Sequence, residues 1–444
     1  MLVKSLNGCA DKISIPVQGR WFNFWKEVDV LVDDHIFHHS APNAAAIHST
    51  LESIMQIGYR ADRPRWEIRF IKDLQADDLD QHPDARNVIV IRVDHSISDG
   101  VSLAKTCHHF LTNKRGEAFP EYASFGLIRE NFPFSASNGF SGCFSPLYYI
   151  KKVFSFGCFF MNAVLNIFSL FKAFLITFYE VYGPFDSDSP LTRPKNIKKK
   201  LGVQRPAVVK FSKSPPISLS YVKQLKNKAH VSLNDILLSA FAGTLRRYCE
   251  SQEFPVDGEG IKPAMSLRAL LPYAFISAPE DYENAEEALR NRWVAVSIHL
   301  PVNKKDPLDR LRETFKTTQA MKQRRQPLAN YYVHNFLGRW ILPKKMVKLS
   351  GDFLFNKHSV VFATVPTTRE ECCFAGVLVE EFQVLFISVI PQVEMISYGD
   401  KIFFSLVFDA DVVQNGNLIP QFFVEELSEL GQRLQISGSA LHGG

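Results

Sequence analysis

Cysteine is scarce and unpatterned in this chain. Its seven cysteines form no Cys-x-x-Cys pair, and two of them, Cys372 and Cys373, are neighbours. That excludes a disulfide framework and a thiolate zinc site, and it points to reduced thiols in a cytosol-facing protein. The start of the chain lacks the apolar core of a secretory signal. No glycine-rich loop is present to cradle a phosphate, and no internal repeat marks a solenoid. The net charge of +5 is modest, and outside one run the basic residues are too dispersed for a nucleic-acid footprint. The three histidines of "HIFHH" (His35, His38, His39) have no Cys or carboxylate partner at a metal-binding spacing.

What is abundant is apolar. The chain has 444 residues, 46% hydrophobic and 22% charged, which places it among packed globular proteins. It is long for a single core, so two domains or one two-lobed unit is expected. Phenylalanine, at 37 residues, leans toward an apolar cavity or a membrane-facing surface, with a Phe-rich core as the plainer reading.

From Pro64 to Ile71 apolar and polar residues alternate. Trp66, Ile68 and Phe70 take one face and Arg65, Glu67 and Arg69 the other, which predicts a strand with one buried face. Residues 88–95 predict a second, more apolar strand in a central position, pairing with the first across the polar loop "QADDLDQHPDARN". On that strand Ile89, Ile91, Val93 and His95 share a face, and Asp94 lies on the other. The spacing of Leu233, Ile236, Leu237, Ala240, Phe241, Leu245 and Tyr248 predicts a helix over 232–248, with Ser232 and Asp235 as a capping box. A shorter helix is expected at 220–228. Later strands are expected at 293–300, 377–390 and 401–409, with a closing helix near 420–434. The mixed order predicts an α/β architecture.

The segment "VIVIRVDHSISDGVSL", Val88 to Leu103, carries the candidate chemistry. An imidazole titrates near neutral pH and can take a proton from a hydroxyl nucleophile. Four residues after His95, Asp99 can fix the turn, and Gly100 permits close chain approach or a positive φ. On spacing alone a second reading stands beside this one. It is an ordinary strand-to-helix turn in which Asp99 is an N-cap and His95 a satisfied side chain. His108 and His109 are expected on the surface of the following helix.

The segment resembles the HHxxxDG hallmark of the wax ester synthase/diacylglycerol acyltransferase family, within the CoA-dependent acyltransferases that carry an HxxxD motif. Other stretches resemble the same family in order. "VDVLVDDHIFHH" resembles the segment that introduces its acyl-binding half, and "RPRWEIRFIKDL", with Pro64 and Trp66, its PLWE strand. "VSLNDILLSAFAGTLRRY" resembles its Asn-Asp helix, through Asn234 and Asp235, and "SLRALLP" its Arg-Ala-Leu-x-Pro strand. "NRWVAVSIHLPVNKKDPLDRL", "FATVPTTREECCFAGV" and "MISYGDKIFFSLVFDADVV" complete the series.

The resemblance implies a two-lobed chloramphenicol acetyltransferase-like fold, with the catalytic histidine in a tunnel at the lobe interface. It implies long-chain acyl transfer from acyl-CoA to a fatty alcohol or diacylglycerol, with acyl-CoA as co-substrate, no other cofactor and no acyl-enzyme. His95 would be the general base, and Asp99 would orient the loop through a buried arginine. Asn234 and Asp235 would support an oxyanion or CoA, beside their local role in helix capping. The implied division is an N-terminal lobe (1–139), a hydrophobic segment with a basic linker (140–206) and a C-terminal lobe (207–444).

Three departures stand out. Asp94 replaces the family's leading histidine. Thr364-Val365-Pro366-Thr367 replaces an Asn-Val-Pro-Gly turn, so a positive φ at Thr367 would be strained. The resemblance begins near residue 28, so the family's first strand is expected to be missing, with an unpaired edge or an open tunnel in its place.

Residues 153–182 could span a bilayer by length. A single pass would put His95 and Asn234 on opposite sides, which a shared site forbids, and Lys151, Lys152 and Lys172 interrupt a double pass. A monotopic or re-entrant attachment is therefore expected, with the turn-rich basic run from Lys195 to Arg205 on anionic head groups, at the endoplasmic reticulum or a lipid droplet. A hydrophobic interlobe helix packed on the protein is the alternative. Two other functions remain open at this level: a catalytically weak relative that binds acyl-CoA or lipid, and a membrane or lipid-droplet scaffold.

Overall fold

The computed structural model of the chain describes residues 12–18, 23–73, 87–108, 110–117, 168, 171–172, 175–176, 178–179, 183–202, 204–258, 264–275, 291–323, 326–333 and 343–443. The expected polar loop before residue 87, His109 and most of the 153–182 run lie outside the described residues.

A hairpin, β1 (Lys12–Gln18) and β2 (Asn23–Asp29), opens the described chain. A 3-10 turn at Val32–His35 leads into β3 (Ile36–Ser40) and α1 (Ala44–Gln56). Then come β4 (Trp66–Lys72) and β5 (Val88–Val93), antiparallel as the alternation predicts. The sheet order β3-β4-β5 makes β5 an edge among the described residues, not the expected central strand. Val88 and Val90 pack toward α1, while Ile89 and Ile91 are exposed. Nor does β4 have a single buried face. Glu67 and Arg69 are buried as well, because Glu67 accepts from both Arg69 and Arg92. A buried carboxylate is tolerated where cations and hydrogen bonds satisfy it.

The chain continues through α2 (Gly100–His108), β6 (Leu111–Thr112) and α3 (Lys195–Leu201). Helix α3 stands where a turn-rich linker was expected. Pro194 before it and Gly202 after it, at φ 69°, bracket seven residues that favour helix. Next are β7 (Val209–Lys213), β8 (Ile217–Ser218), α4 (Leu219–Ala229) and α5 (Leu233–Ser251). After them come β9 (Leu267–Ala274), β10 (Trp293–Leu300), α6 (Pro307–Gln323), α7 (Gln326–Tyr332) and α8 (Lys344–Lys357). The chain closes with β11 (Val360–Pro366), β12 (Cys373–Phe374), β13 (Val377–Leu378), β14 (Gln392–Tyr398), β15 (Lys401–Asp409) and α9 (Leu418–Arg433).

Helices α4, α5 and α9 and strands β10 and β15 fall where the periodicity put them. The expected strand over 377–390 does not. Only Val377–Leu378 is extended in a ladder. Phe382 and Val384 pack against Tyr398 and Phe403, and Leu385 packs beside Val407. The apolar alternation there records burial against a sheet face, not strand pairing.

The large sheet runs β10-β9-β11-β14-β15-β7, with β8 also on β15. One face is covered by α4, α5, α6 and α9 around a core that includes Phe241, Phe362, Phe404 and Phe423. The other face receives α8, the 379–391 loop and the N-terminal half: Leu51 and Met55 of α1 pack beside Val209, Phe211 and Val407. Strand β6 joins β12, a second stitch between the halves. Among the described residues no helix is long and apolar enough to cross a membrane.

A buried ion pair and a buried acid matter for stability. Arg310 and Glu426 form an ion pair beside α5, and Glu426 also accepts from Arg247 Nε at 2.5 Å. Gly243 gives the pair its room: a Cβ there would lie 2.1 Å from Glu426 Oε2 and 2.7 Å from Arg310 Nη2. On the other face of the sheet, Glu394 of β14 is buried beside Gln392, whose Nε2 donates to it. Burial lifts the Glu394 carboxyl from an ordinary 4.5 to about 7, outweighing the Gln392 hydrogen bond.

Gly243→Ala is expected to lower the urea midpoint by an amount worth about 1–3 kcal/mol through overpacking, with an unchanged denaturant slope. An unaltered midpoint would contradict the packing described. Glu394 binds its proton more tightly when folded, so its stabilising effect is complete below about 4.5 and is lost as pH rises through about 7. A tenfold change in proton affinity is worth roughly 1.4 kcal/mol, so Glu394→Gln is expected to raise stability at alkaline pH by up to about 3 kcal/mol. The gain should fade below pH 4.5; a gain independent of pH would refute the buried neutral acid.

Candidate active site

Strand β5 ends at Val93, so His95 does not continue its pleat as the alternation predicted. A turn follows, closed by the Ile97 N–H on the Asp94 carbonyl at 2.9 Å. Asp94 builds this turn. Its carboxylate accepts the Ser96 N–H (2.9 Å) and Arg65 Nη1 (3.2 Å). Burial raises its pKa, but the Ser96 and Arg65 interactions outweigh it and hold the carboxyl below its ordinary value. The residue that departs from the family motif is thus satisfied locally.

His95 is half-buried in the turn. Its ring lies 5.1 Å from Trp293 of β10, tilted by 56°, and 5.4 Å from Phe386, edge-on at 87°. Asn291 Nδ2 donates to its carbonyl. An imidazole from the N-terminal half is therefore walled by aromatics from the C-terminal half.

Asp99 is buried and makes two directed bonds. Oδ1 accepts the Ser102 N–H at 2.8 Å, which caps α2. Oδ2 accepts the backbone N–H of Arg292 at 2.9 Å. The bond to an arginine is to its main chain, where a guanidinium was expected, and it ties the motif to the start of β10, one residue before Trp293. Capping and orienting are the same act here. Neither expected reason for glycine applies at Gly100: its φ is not in the left-handed region, and a Cβ would meet Val365 Cγ2 at an ordinary 3.9 Å.

The Asn-Asp pair divides. Asp235 is fully buried. Oδ2 accepts both the N–H and the hydroxyl of Ser232, and Oδ1 accepts Thr318 Oγ1 at 2.6 Å. Both oxygens are spent on structure. Asn234 is exposed, and its Oδ1 accepts Thr364 Oγ1 at 3.2 Å, which leaves its amide hydrogens as the outward donors. Thr364 and Val365 are consecutive on β11, so Asn234 and Gly100 meet the same short stretch of chain. The expected turn at 364–367 is a strand: β11 runs to Pro366, and Thr367 donates its N–H to Ser397 O at 3.1 Å without a positive φ. The lost glycine is not needed.

Pro64 and Trp66 stand beside the motif across the β4–β5 ladder, Trp66 opposite Val93. The indole stacks on His35 (4.1 Å, 17°), and His35 Nδ1 donates to the Trp66 carbonyl at 2.7 Å. The buried indole Nε1 has no hydrogen-bond partner among the described residues. Sequence reasoning missed Trp293, Phe386 and Glu394. The only signal for Glu394 was an acid inside the apolar stretch "QVEMISY".

Residues 290–431 match the WS/DGAT C-terminal domain. Wax ester synthase/diacylglycerol acyltransferase 5 of Arabidopsis thaliana is 24% identical over 378 residues, covering 79% of this chain and 69% of the relative. O-acyltransferase WSD of Acinetobacter baylyi is 22% identical over 401 residues, covering 86% and 78%. Among solved structures, the wax ester synthase/diacylglycerol acyltransferase from Marinobacter aquaeolei VT8 superposes with a TM-score of 0.58 at 14% identity, covering 96% of this chain and 87% of that one. The first condensation domain of the calcium-dependent antibiotic synthetase gives 0.54 at 11%, covering 99% and 88%. The fold is thus the chloramphenicol acetyltransferase-like α/β fold, and the chain is similar to the wax ester synthase/diacylglycerol acyltransferases, whose C-terminal domain its residues 290–431 match.

Proposed function

We propose that this protein moves a long-chain fatty acyl group from acyl-CoA to a fatty alcohol or diacylglycerol, forming wax ester, triacylglycerol or both. The observation that carries this reading is the seat of His95. The imidazole stands against Trp293 and Phe386, and Asp99 fixes its turn to β10 through Arg292.

In the proposed reaction His95 takes the proton of the acceptor hydroxyl as its oxygen attacks the thioester carbonyl. The tetrahedral adduct collapses with cleavage of the C–S bond. The departing thiolate recovers the proton from the imidazolium, which returns the enzyme to its starting state. No bond forms between acyl group and protein. Asn234, with its carboxamide oxygen held by Thr364, offers its amide hydrogens to the oxyanion or to CoA. The positions of Asp94 and Thr367 favour this reading over a catalytically inert relative, because each departure is accommodated by local hydrogen bonds.

Attachment to a membrane surface, at the endoplasmic reticulum or a lipid droplet with both lobes on the cytosolic side, suits substrates that reside in bilayers. The 153–182 run would supply the apolar contact.

With labelled palmitoyl-CoA and either hexadecanol or diacylglycerol, His95→Ala is expected to cut ester formation by about 10²- to 10⁴-fold. Equal turnover by both proteins would sink the assignment. Asn234→Ala is expected to lower kcat by about 10²-fold or more, with a smaller change in KM. Acid quenching during turnover should recover no labelled acyl group on the protein; a trapped acyl-protein would exclude direct transfer.

A further inference from the structure

Among the described residues, helix α8 is seated through its C-terminal half. Phe353, Leu354 and Phe355 in its C-terminal half pack beside Leu270, Val361 and Ile390. Its N-terminal half leaves the protein: Lys345, Met346, Val347, Lys348 and Leu349 are all exposed, with Met346 at 49% and Leu349 at 51%. Nothing in the active-site chemistry uses this protrusion.

Its base joins two other apolar and basic elements. Lys357 Nζ donates to the Gly183 carbonyl and lies 5.5 Å from the rings of both Phe185 and Phe353. Lys199 of α3 lies over the same Phe185 ring at 5.7 Å. Asn356 Nδ2 donates to the Lys198 carbonyl at 3.2 Å. Gly183 in turn donates to Tyr179 O at 2.6 Å, at the end of the apolar run whose described residues Phe168, Phe171, Leu175 and Phe178 are helical and exposed. The base of α8 thus meets residues 179–199, and exposed apolar side chains stand on both: Met346, Val347 and Leu349 on α8, and Phe178, Ile197 and Leu201 near its base. Exposed lysines stand among them: Lys172, Lys199, Lys200, Lys345 and Lys348. The nearby Asp352 already faces Lys348 at 3.3 Å. Large exposed apolar side chains with cations interleaved fit an anionic lipid surface, where the apolar groups enter the acyl boundary and the ammonium groups meet head groups.

We infer that α8 is a second lipid-inserting element, whose protruding half enters a bilayer or lipid monolayer with anionic head groups. The inference rests on the reading that the protein works at a membrane, and it adds the element that sets the protein's tilt there. Two contacts at separate points hold an orientation that one run would leave free to swing.

Flotation of the full-length protein with vesicles of phosphatidylcholine, with and without phosphatidylserine, tests it. Met346→Ser with Leu349→Ser is expected to lower partitioning by about tenfold or more. Lys345→Gln with Lys348→Gln should lose about tenfold on the phosphatidylserine vesicles only. Both variants should keep the wild-type melting temperature and the wild-type rate with a short, water-soluble alcohol. Wild-type partitioning by both variants, while the wild type binds, would overturn the role of α8 and leave the membrane reading intact. So would a loss confined to binding of another protein. Failure of the wild type itself to bind either vesicle would overturn both.

Discussion

The site depends on one buried carboxylate with two directed hydrogen bonds. Asp99 holds the first turn of α2 with one oxygen and the main chain of Arg292 with the other. The first bond is local and arises in any capped helix. The second crosses between elements almost two hundred residues apart in sequence, and it sets His95 against Trp293. Because Asp99 is buried, losing either bond would leave an unsatisfied charge. The geometry around the imidazole is thus coupled to the folding of both halves.

Much of this arrangement was legible in the sequence. Helical periodicity located α4, α5 and α9, and Ser232 with Asp235 marked the start of α5 because a capping box is a local device with a local signature. The β4–β5 pairing was equally visible. The failures share a cause: they concern what covers an element, which residue order does not encode. Glu67 and Arg69 look like a solvent face until Arg92 is brought to Glu67 and Arg69 is laid over Phe37. Residues 377–390 look like a strand because Phe382, Val384 and Leu385 are apolar and pack toward a sheet that they never join. The partner of Asp99 was sought among side chains, and it is an amide, which every residue but proline carries and which no sequence motif marks.

The Asn-Asp pair illustrates the difference between recognising a motif and knowing its labour. Asp235 accepts from Ser232 and Thr318 and has no oxygen left for a substrate. Asn234, one residue away, faces outward with its carboxamide held in one orientation by Thr364. A fall in activity on replacing Asp235 would therefore report a loosened helix start, whereas the same fall at Asn234 would arise with the capping box intact.

Strand β11 carries a constraint of a different kind. Thr364 and Val365 are neighbours, and in a pleated strand neighbours point to opposite sides. One side meets the helix that bears Asn234 and the other meets the loop of His95. A single-residue deletion upstream of Thr364 would shift this register, presenting the Val365 isopropyl group to the carboxamide and the Pro366 ring to the glycine. The spelling of this short strand is thus locked from both sides at once, and length is guarded there as strictly as residue type.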